Sequence, residues 1–143
     1  MWRSSLPAIA AVLIAMPARG HAFENEYIPA DKVPYAVEAP DQPQRLGFLW
    51  GDRAQGPGGT LLKVPGGWKA PIHAHTADYR GIVIEGHWRH WVPETGEGEG
   101  IELLPGSYWT QKADQMHADE CVSDTECVIL LINEEPYKTY LPD

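Results

Sequence analysis

The run PIHAHTADYRGIVIEG at residues 71–86 sets two histidines one residue apart, ahead of an apolar segment that ends in glycine. On an extended strand alternate side chains share a face, so His73 and His75 point the same way, roughly 7 Å apart by backbone rise. Two imidazoles placed like this make half of a metal site. The expected third donor is His117, in QKADQMHADEC, on a separate strand further along the chain. Imidazole suits zinc, iron, copper and nickel, and three neutral histidines leave coordination positions open for water, substrate or oxygen.

Other residues offer less. His87 and His90, in HWRHW, are secondary candidates, and Glu85 and Arg89 read as cross-strand charges. Trp88, Trp91 and Trp109 read as packing, or as the aromatic rim of a barrel mouth that would suit an apolar ligand. Beyond residue 22 the serines are Ser107 and Ser123, neither in a nucleophile elbow, which argues against a serine hydrolase. The glycines of GDRAQGPGGT lack the lysine and following helix of a phosphate loop. Cys121 and Cys127 do not have the Cys-x-x-Cys redox spacing.

The elements that must position these groups are short. LGFLWGD, GTLLKVPGG, the histidine stretch, HWRHW, GSYWTQ, QMHADEC and ECVILLINEE are branched or aromatic runs separated by turn residues. That pattern predicts an antiparallel sandwich or barrel, with no amphipathic helix between residues 46 and 133. Residues 127–132 are apolar on both faces and are expected to form a fully buried strand. Residues 95–100, TGEGEG, are expected to form a polar hairpin loop.

The chain opens with MWRSSLPAIAAVLIAMPARGHA, a basic start, an apolar run too short for a bilayer and a small-residue ending. Residues 1–22 are therefore expected to be a signal peptide, cleaved after Ala22 or after Gly20. Residues 23–45, rich in proline and acid, read as an extended arm that carries an edge strand, and residues 46–143 as the β-barrel domain. Removing the signal takes away Arg3 and Arg19 and no acid, so the formal charge moves from −9 to −11. An acidic surface disfavours nucleic acid and anionic membrane. Expected partners are a small-molecule substrate or ligand and a second copy of the chain in a homodimer, with no stable membrane insertion. The expected location is periplasmic or secreted, where a close pair such as Cys121 and Cys127 defaults to a disulfide; two free thiols are the alternative.

The spacing resembles the two signature motifs of the cupin superfamily. Gly67 is followed by WKAPI, His73, Ala74, His75, TAD, Tyr79, six residues and Gly86, which matches the first motif except that Tyr79 stands where a glutamate ligand is usual. Residues 112–117 match the second motif loosely, through His117, and Cys121 stands where an asparagine is common. LWGD, Trp-Lys-Ala-Pro-x-His-x-His, GSYW and PYKTYLP together look like an uncharacterised family of small bacterial cupins, and more distantly like the three-histidine acetylacetone dioxygenase. The resemblance implies an all-β, cupin-type antiparallel barrel (a double-stranded β-helix, or jelly roll). It also implies a divalent transition metal held by His73, His75 and His117, with Fe2+ favoured and Zn2+, Ni2+ or Mn2+ as alternatives.

Strand parity turns Tyr79 inward, as a candidate catalytic group whose phenol hydrogen-bonds a ligand without necessarily ligating metal. Asp78 has the opposite parity and would need a bulge to reach the ion. The leading functional expectation is a non-haem Fe(II) dioxygenase-like enzyme acting on a small oxygenated organic substrate. The alternatives are a metal or small-ligand binding module without turnover, and a non-redox metal-dependent isomerase or lyase, because one barrel hosts many chemistries.

Overall fold

The computed structural model describes residues 23–37 and 39–143, so the expected signal peptide lies outside the described residues. Ten strands follow in order: β1 (Tyr35–Val37), β2 (Arg45–Gly51), β3 (Gly58–Val64), β4 (Ala74–His75), β5 (Tyr79–Glu85), β6 (Trp88–Trp91), β7 (Tyr108–Gln111), β8 (Ala118–Cys121), β9 (Cys127–Asn133) and β10 (Thr139–Tyr140). The helical content among the described residues is one 3-10 turn, Ala30–Lys32, in the arm. The fold is the antiparallel cupin barrel. One wall is a six-stranded sheet in the order β1-β2-β3-β9-β5-β7, and the opposite side is built from the pairs β10-β4 and β6-β8.

The strands form where the run of branched and aromatic residues is long enough to cover a sheet face, and they stop at glycine and proline. β1 lies in the proline-rich arm and pairs antiparallel with β2, Tyr35 opposite Gly47, which makes it the edge of the large sheet. β9 takes the centre, between β3 and β5, as an apolar run requires. It is not buried throughout, however. Cys127, Val128 and Ile129 are buried, whereas Leu130, Leu131 and Ile132 are half-exposed. The reason is local: Leu131 faces an open cavity rather than packed side chains, and Leu130 and Ile132 lie on the sheet's other face.

Two glycines are structural necessities. Gly81 on β5 leaves room for the indole of Trp109, whose ring atoms occupy the space a Cβ would need. Trp109 thereby lies flat across β5 and reaches the interior. Gly86 turns β5 into β6 at φ 85°, and a Cβ there would strike Cys127, its backbone and its sulfur. Val64, Tyr79, Val83, Trp88, Trp109, Cys121, Cys127, Ile129 and Tyr137 form the core. Within it Cys121 and Cys127 are joined as a disulfide, Cα–Cα 5.9 Å, which ties the end of β8 to the start of β9. Both are fully buried.

Candidate metal centre

The three expected ligands converge, and the backbone explains why. His73 and His117 sit opposite one another in an antiparallel bridge and exchange both backbone hydrogen bonds, His73 N–H to His117 O at 3.1 Å and His117 N–H to His73 O at 2.9 Å. Directly opposed residues project to the same side of a sheet, so their rings meet, with centroids 4.3 Å apart. His75, two residues on, shares that face; its ring lies 4.8 Å from His73 and 5.1 Å from His117. One nitrogen from each ring falls within 4.8 Å of the others.

Each imidazole is held by its other nitrogen. His73 Nδ1 lies 2.8 Å from the Pro71 carbonyl and His117 Nδ1 lies 3.0 Å from the Gln115 carbonyl. A carbonyl only accepts, so both Nδ1 atoms carry the proton, and in the neutral ring Nε2 is left with a lone pair. His75 Nδ1 meets the Thr139 hydroxyl at 3.0 Å. Burial, reinforced by the neighbouring histidines, pushes the pKa of His75 down to about 2. Burial likewise lowers His117 to about 4, against the pull of Asp119. For His75 and His117 the neutral ring with Nδ1 anchored is the state that metal ligation needs.

Beside this trio lies a buried group of a different kind. Asp119 Oδ1 accepts from His90 Nδ1 at 2.7 Å and from Trp88 Nε1 at 3.2 Å. His90 Nε2 meets Gln111 Oε1 at 2.9 Å. The Gln111 amide donates to Gln115 Oε1 at 2.9 Å and faces two backbone carbonyls, which fixes its oxygen toward His90. Both His90 nitrogens therefore face acceptors, and the ring is an imidazolium. Burial would lower its pKa, but the Asp119 charge and these hydrogen bonds raise it. Burial would raise Asp119, and His90, His117 and His73 hold it down at about 2. His90, Asp119 and His117 also lie close enough to hold an ion, but His90 has no lone pair to give.

Tyr79 is buried with its ring between the two groups, 5.2 Å from His75 and 6.4 Å from His90. Its hydroxyl stands 3.4 Å from His117 Nε2. Burial, with Asp119 and Tyr137 nearby, pushes the phenol well above its ordinary pKa, so it is uncharged. Asp78 is exposed and accepts from the Ala113 backbone N–H at 2.7 Å, outside the site. His87 lies at the surface with Glu102, 3.4 Å from its carboxylate, and Arg89 donates to the same carboxylate at 3.1 Å. Trp88 and Trp109 both belong to the core and both reach the cavity wall, and Trp109 stacks on His90 at 5.2 Å.

The cavity above the histidines has a volume of about 230 Å³. Leu46, Leu62, Ile129, Leu131 and Trp109 form its apolar wall, and His73, His75, Tyr79 and Asp119 its polar floor. The C-terminal segment closes one side. β10 pairs with β4, Thr139 opposite His75, and Tyr137 stacks on the His75 ring at 4.2 Å. Asp119, Thr139 and Tyr137 were not among the residues singled out from the sequence. Asp119 carried a usable signal: it lies two residues after His117 on a strand, and so shares its face. Thr139 and Tyr137 carried none, because their place depends on the β10–β4 pairing.

Comparison with solved structures places the same architecture in proteins of low sequence identity. A polyketide cyclase, RemF, from Streptomyces resistomycificus matches with TM-score 0.64 at 18% identity, covering 84% of this chain and 88% of that one. A sugar phosphate isomerase of the cupin superfamily from Silicibacter pomeroyi matches with TM-score 0.62 at 17% identity, covering 82% of each chain. An RmlC-like cupin protein from Ralstonia eutropha matches with TM-score 0.61 at 21% identity, covering 78% of this chain and 69% of that one. These likenesses establish the cupin fold. No curated protein matches the chain. Residues 38–139 match the family described as Domain of unknown function (DUF4437), and with that span and this barrel the chain belongs to that family of small cupins.

Proposed function

We propose that the chain is a metal-dependent cupin enzyme acting on a small oxygenated organic molecule, with non-haem Fe(II) dioxygenase-like chemistry as its specific form. One observation carries this reading: three anchored imidazoles converge beside a small, mostly apolar cavity, His73 and His75 lining its floor and His117 buried behind them. The donor set fits the ion, since neutral imidazole is a good ligand for first-row divalent metals and three of them leave positions open. His73, His75 and His117 would hold it, and bound iron would supply a Lewis-acidic, redox-active centre to which a chelating oxygen ligand can attach.

The chain's own residues do the rest. The carbonyls of Pro71 and Gln115 and the Thr139 hydroxyl orient the rings. Leu62, Ile129, Leu131 and Trp109 surround the floor with apolar surface, and a volume of about 230 Å³ restricts the ligand to few atoms. Tyr79, uncharged, offers a hydroxyl proton to a ligand oxygen. Export to the periplasm or beyond is supported by the signal-like residues 1–22 and by a disulfide, which persists in an oxidising compartment.

Protein purified anaerobically without chelators tests the reading, by metal analysis and by oxygen uptake with small chelating oxygen ligands, acetylacetone among them. Bound iron with oxygen consumption is expected. Zinc without turnover would make the protein a binding module. A non-redox isomerase or cyclase is the second reading, favoured by the uncharged Tyr79 phenol at the cavity floor, a proton source that needs no redox metal. Turnover in the absence of oxygen would select it.

A further inference from the structure

We infer that Asp119 is a fourth metal ligand, through Oδ2, and that it stands in for the glutamate absent at position 79. The inference rests on the metal-site reading and specifies its donor set. The two carboxylate oxygens have different surroundings. Oδ1 is taken by Trp88 and His90. Oδ2 points the other way, 3.7 Å from His73 Nε2 and 3.7 Å from His117 Nε2. Neither contact is a hydrogen bond at that length. In both rings the proton is already on Nδ1, against a backbone carbonyl. With both rings neutral, two Nε2 lone pairs and a carboxylate oxygen face one another with no proton between ring and carboxylate, and the Tyr79 hydroxyl lies 3.4 Å from His117 Nε2. Neutral rings and a carboxylate so arranged repel, and a cation at their centre turns the arrangement attractive.

The spacing is compatible with that cation. Donors about 2.1 Å from one metal, at right or tetrahedral angles, lie about 3.0 to 3.4 Å from each other, so closing 3.7 Å to His73 and His117 needs only a small side-chain movement. Asp119 forms no donor group within 4.8 Å with His75, however, and must move further toward that ring. The backbone supports the assignment as well. His90 is paired directly across from Asp119 in the β6–β8 register, which places the donor that fixes Oδ1 at the carboxylate's back. His90 and Trp88 are accordingly positioning residues: they set the carboxylate plane so that Oδ2 faces the site. Tyr79 is left outside the ligand set, as a hydroxyl beside His117.

Equilibrium titration of the metal-free full chain with Co2+ and Zn2+ tests this. Asp119→Asn keeps shape and removes the anionic donor; its affinity should fall by about 100-fold or more, beyond the roughly 10- to 100-fold loss typical of an outer-shell change, and its Co2+ absorption should differ from wild type. His75→Ala in parallel separates two failures. If His75→Ala loses metal and Asp119→Asn binds as wild type does, the histidine site stands and the Asp119 assignment falls; if His75→Ala also binds as wild type does, the site reading itself falls. Should Asp119→Asn not fold, a crystal structure of Zn2+-soaked wild type decides, with Oδ2 at about 2.0 to 2.2 Å from the ion expected. Water or the Tyr79 oxygen in that position would overturn the inference.

Discussion

Two groups of buried histidine chemistry share one barrel interior and are in opposite states. His90 has both ring nitrogens committed as donors, to Asp119 and Gln111, and is charged. His73, His75 and His117 each have Nδ1 committed, and at Nε2 only His117 has a hydrogen-bond partner among the described residues, the Tyr79 hydroxyl at 3.4 Å. The first group is a saturated network, so it can position but cannot bind. The second keeps nitrogens open to the cavity through His73 and His75, where an ion or water can use them. What separates a structural histidine from a ligand here is therefore the count of satisfied nitrogens, not burial, since His90 and His75 are both buried.

The comparison is broken most severely by deleting the ligand side. His73→Ala, His75→Ala and His117→Ala should each lower metal affinity by orders of magnitude while the barrel stays folded, because apolar strands such as β9 carry the core. Metal titration alongside circular dichroism checks both halves; full occupancy in any one variant removes that histidine from the site. Deleting the saturated side should instead cost stability. His90→Ala leaves Asp119 buried without its counter-charge, and the expected loss is about 3 to 5 kcal/mol, read from the shift in urea midpoint of metal-free protein. A loss below about 1 kcal/mol would mean the imidazolium is not the partner that Asp119 needs.

Removing the staple between β8 and β9 ranks next. Cys121→Ser with Cys127→Ser should destabilise by roughly 2 kcal/mol through the freed unfolded chain. Mass measurement of unreduced wild type should show the two missing hydrogens, and two alkylatable thiols would defeat the bridge.

The two histidine groups also titrate in different windows. His75 and His117 have depressed pKa values, about 2 and about 4, so the unfolded chain takes up their protons first as pH falls below 6.5. Metal-free stability should therefore drop between pH 6.5 and about 4, by roughly 1.4 kcal/mol per pH unit for each histidine. His90, raised, acts on the other side: it stabilises below pH 6.5 and loses that contribution as pH rises through its folded value. A flat stability curve from pH 6.5 to 4.5 would contradict the neutral, buried state of His75 and His117.

The smallest expected effect sharpens the contrast at the boundary. Tyr79→Phe removes one hydroxyl beside His117 and keeps every ligand. Metal binding should stay near wild type, while affinity for a small chelating ligand or turnover falls by about 1 kcal/mol, the worth of one hydrogen bond. Large metal loss would instead make the tyrosine a ligand.

Residue type and spacing alone determined a good deal of this protein. His-x-His puts two imidazoles on one face of any strand, the glycine-bounded branched runs allow only short strands, and Cys121 and Cys127 are close enough in sequence to meet. These are local consequences of period and reach. Asp119 could have been read the same way, by its alternation with His117, a parity that Asp78 and Glu120 lack. The tertiary structure alone decided what each buried group is paired with. The β6–β8 register sets His90 against Asp119, which fixes a proton on His90 Nδ1, and the β10–β4 register sets Thr139 against His75, which orients that ring. Proton placement separates the saturated histidine from the three that can bind, and it depends on contacts between segments distant in sequence, which no local pattern encodes.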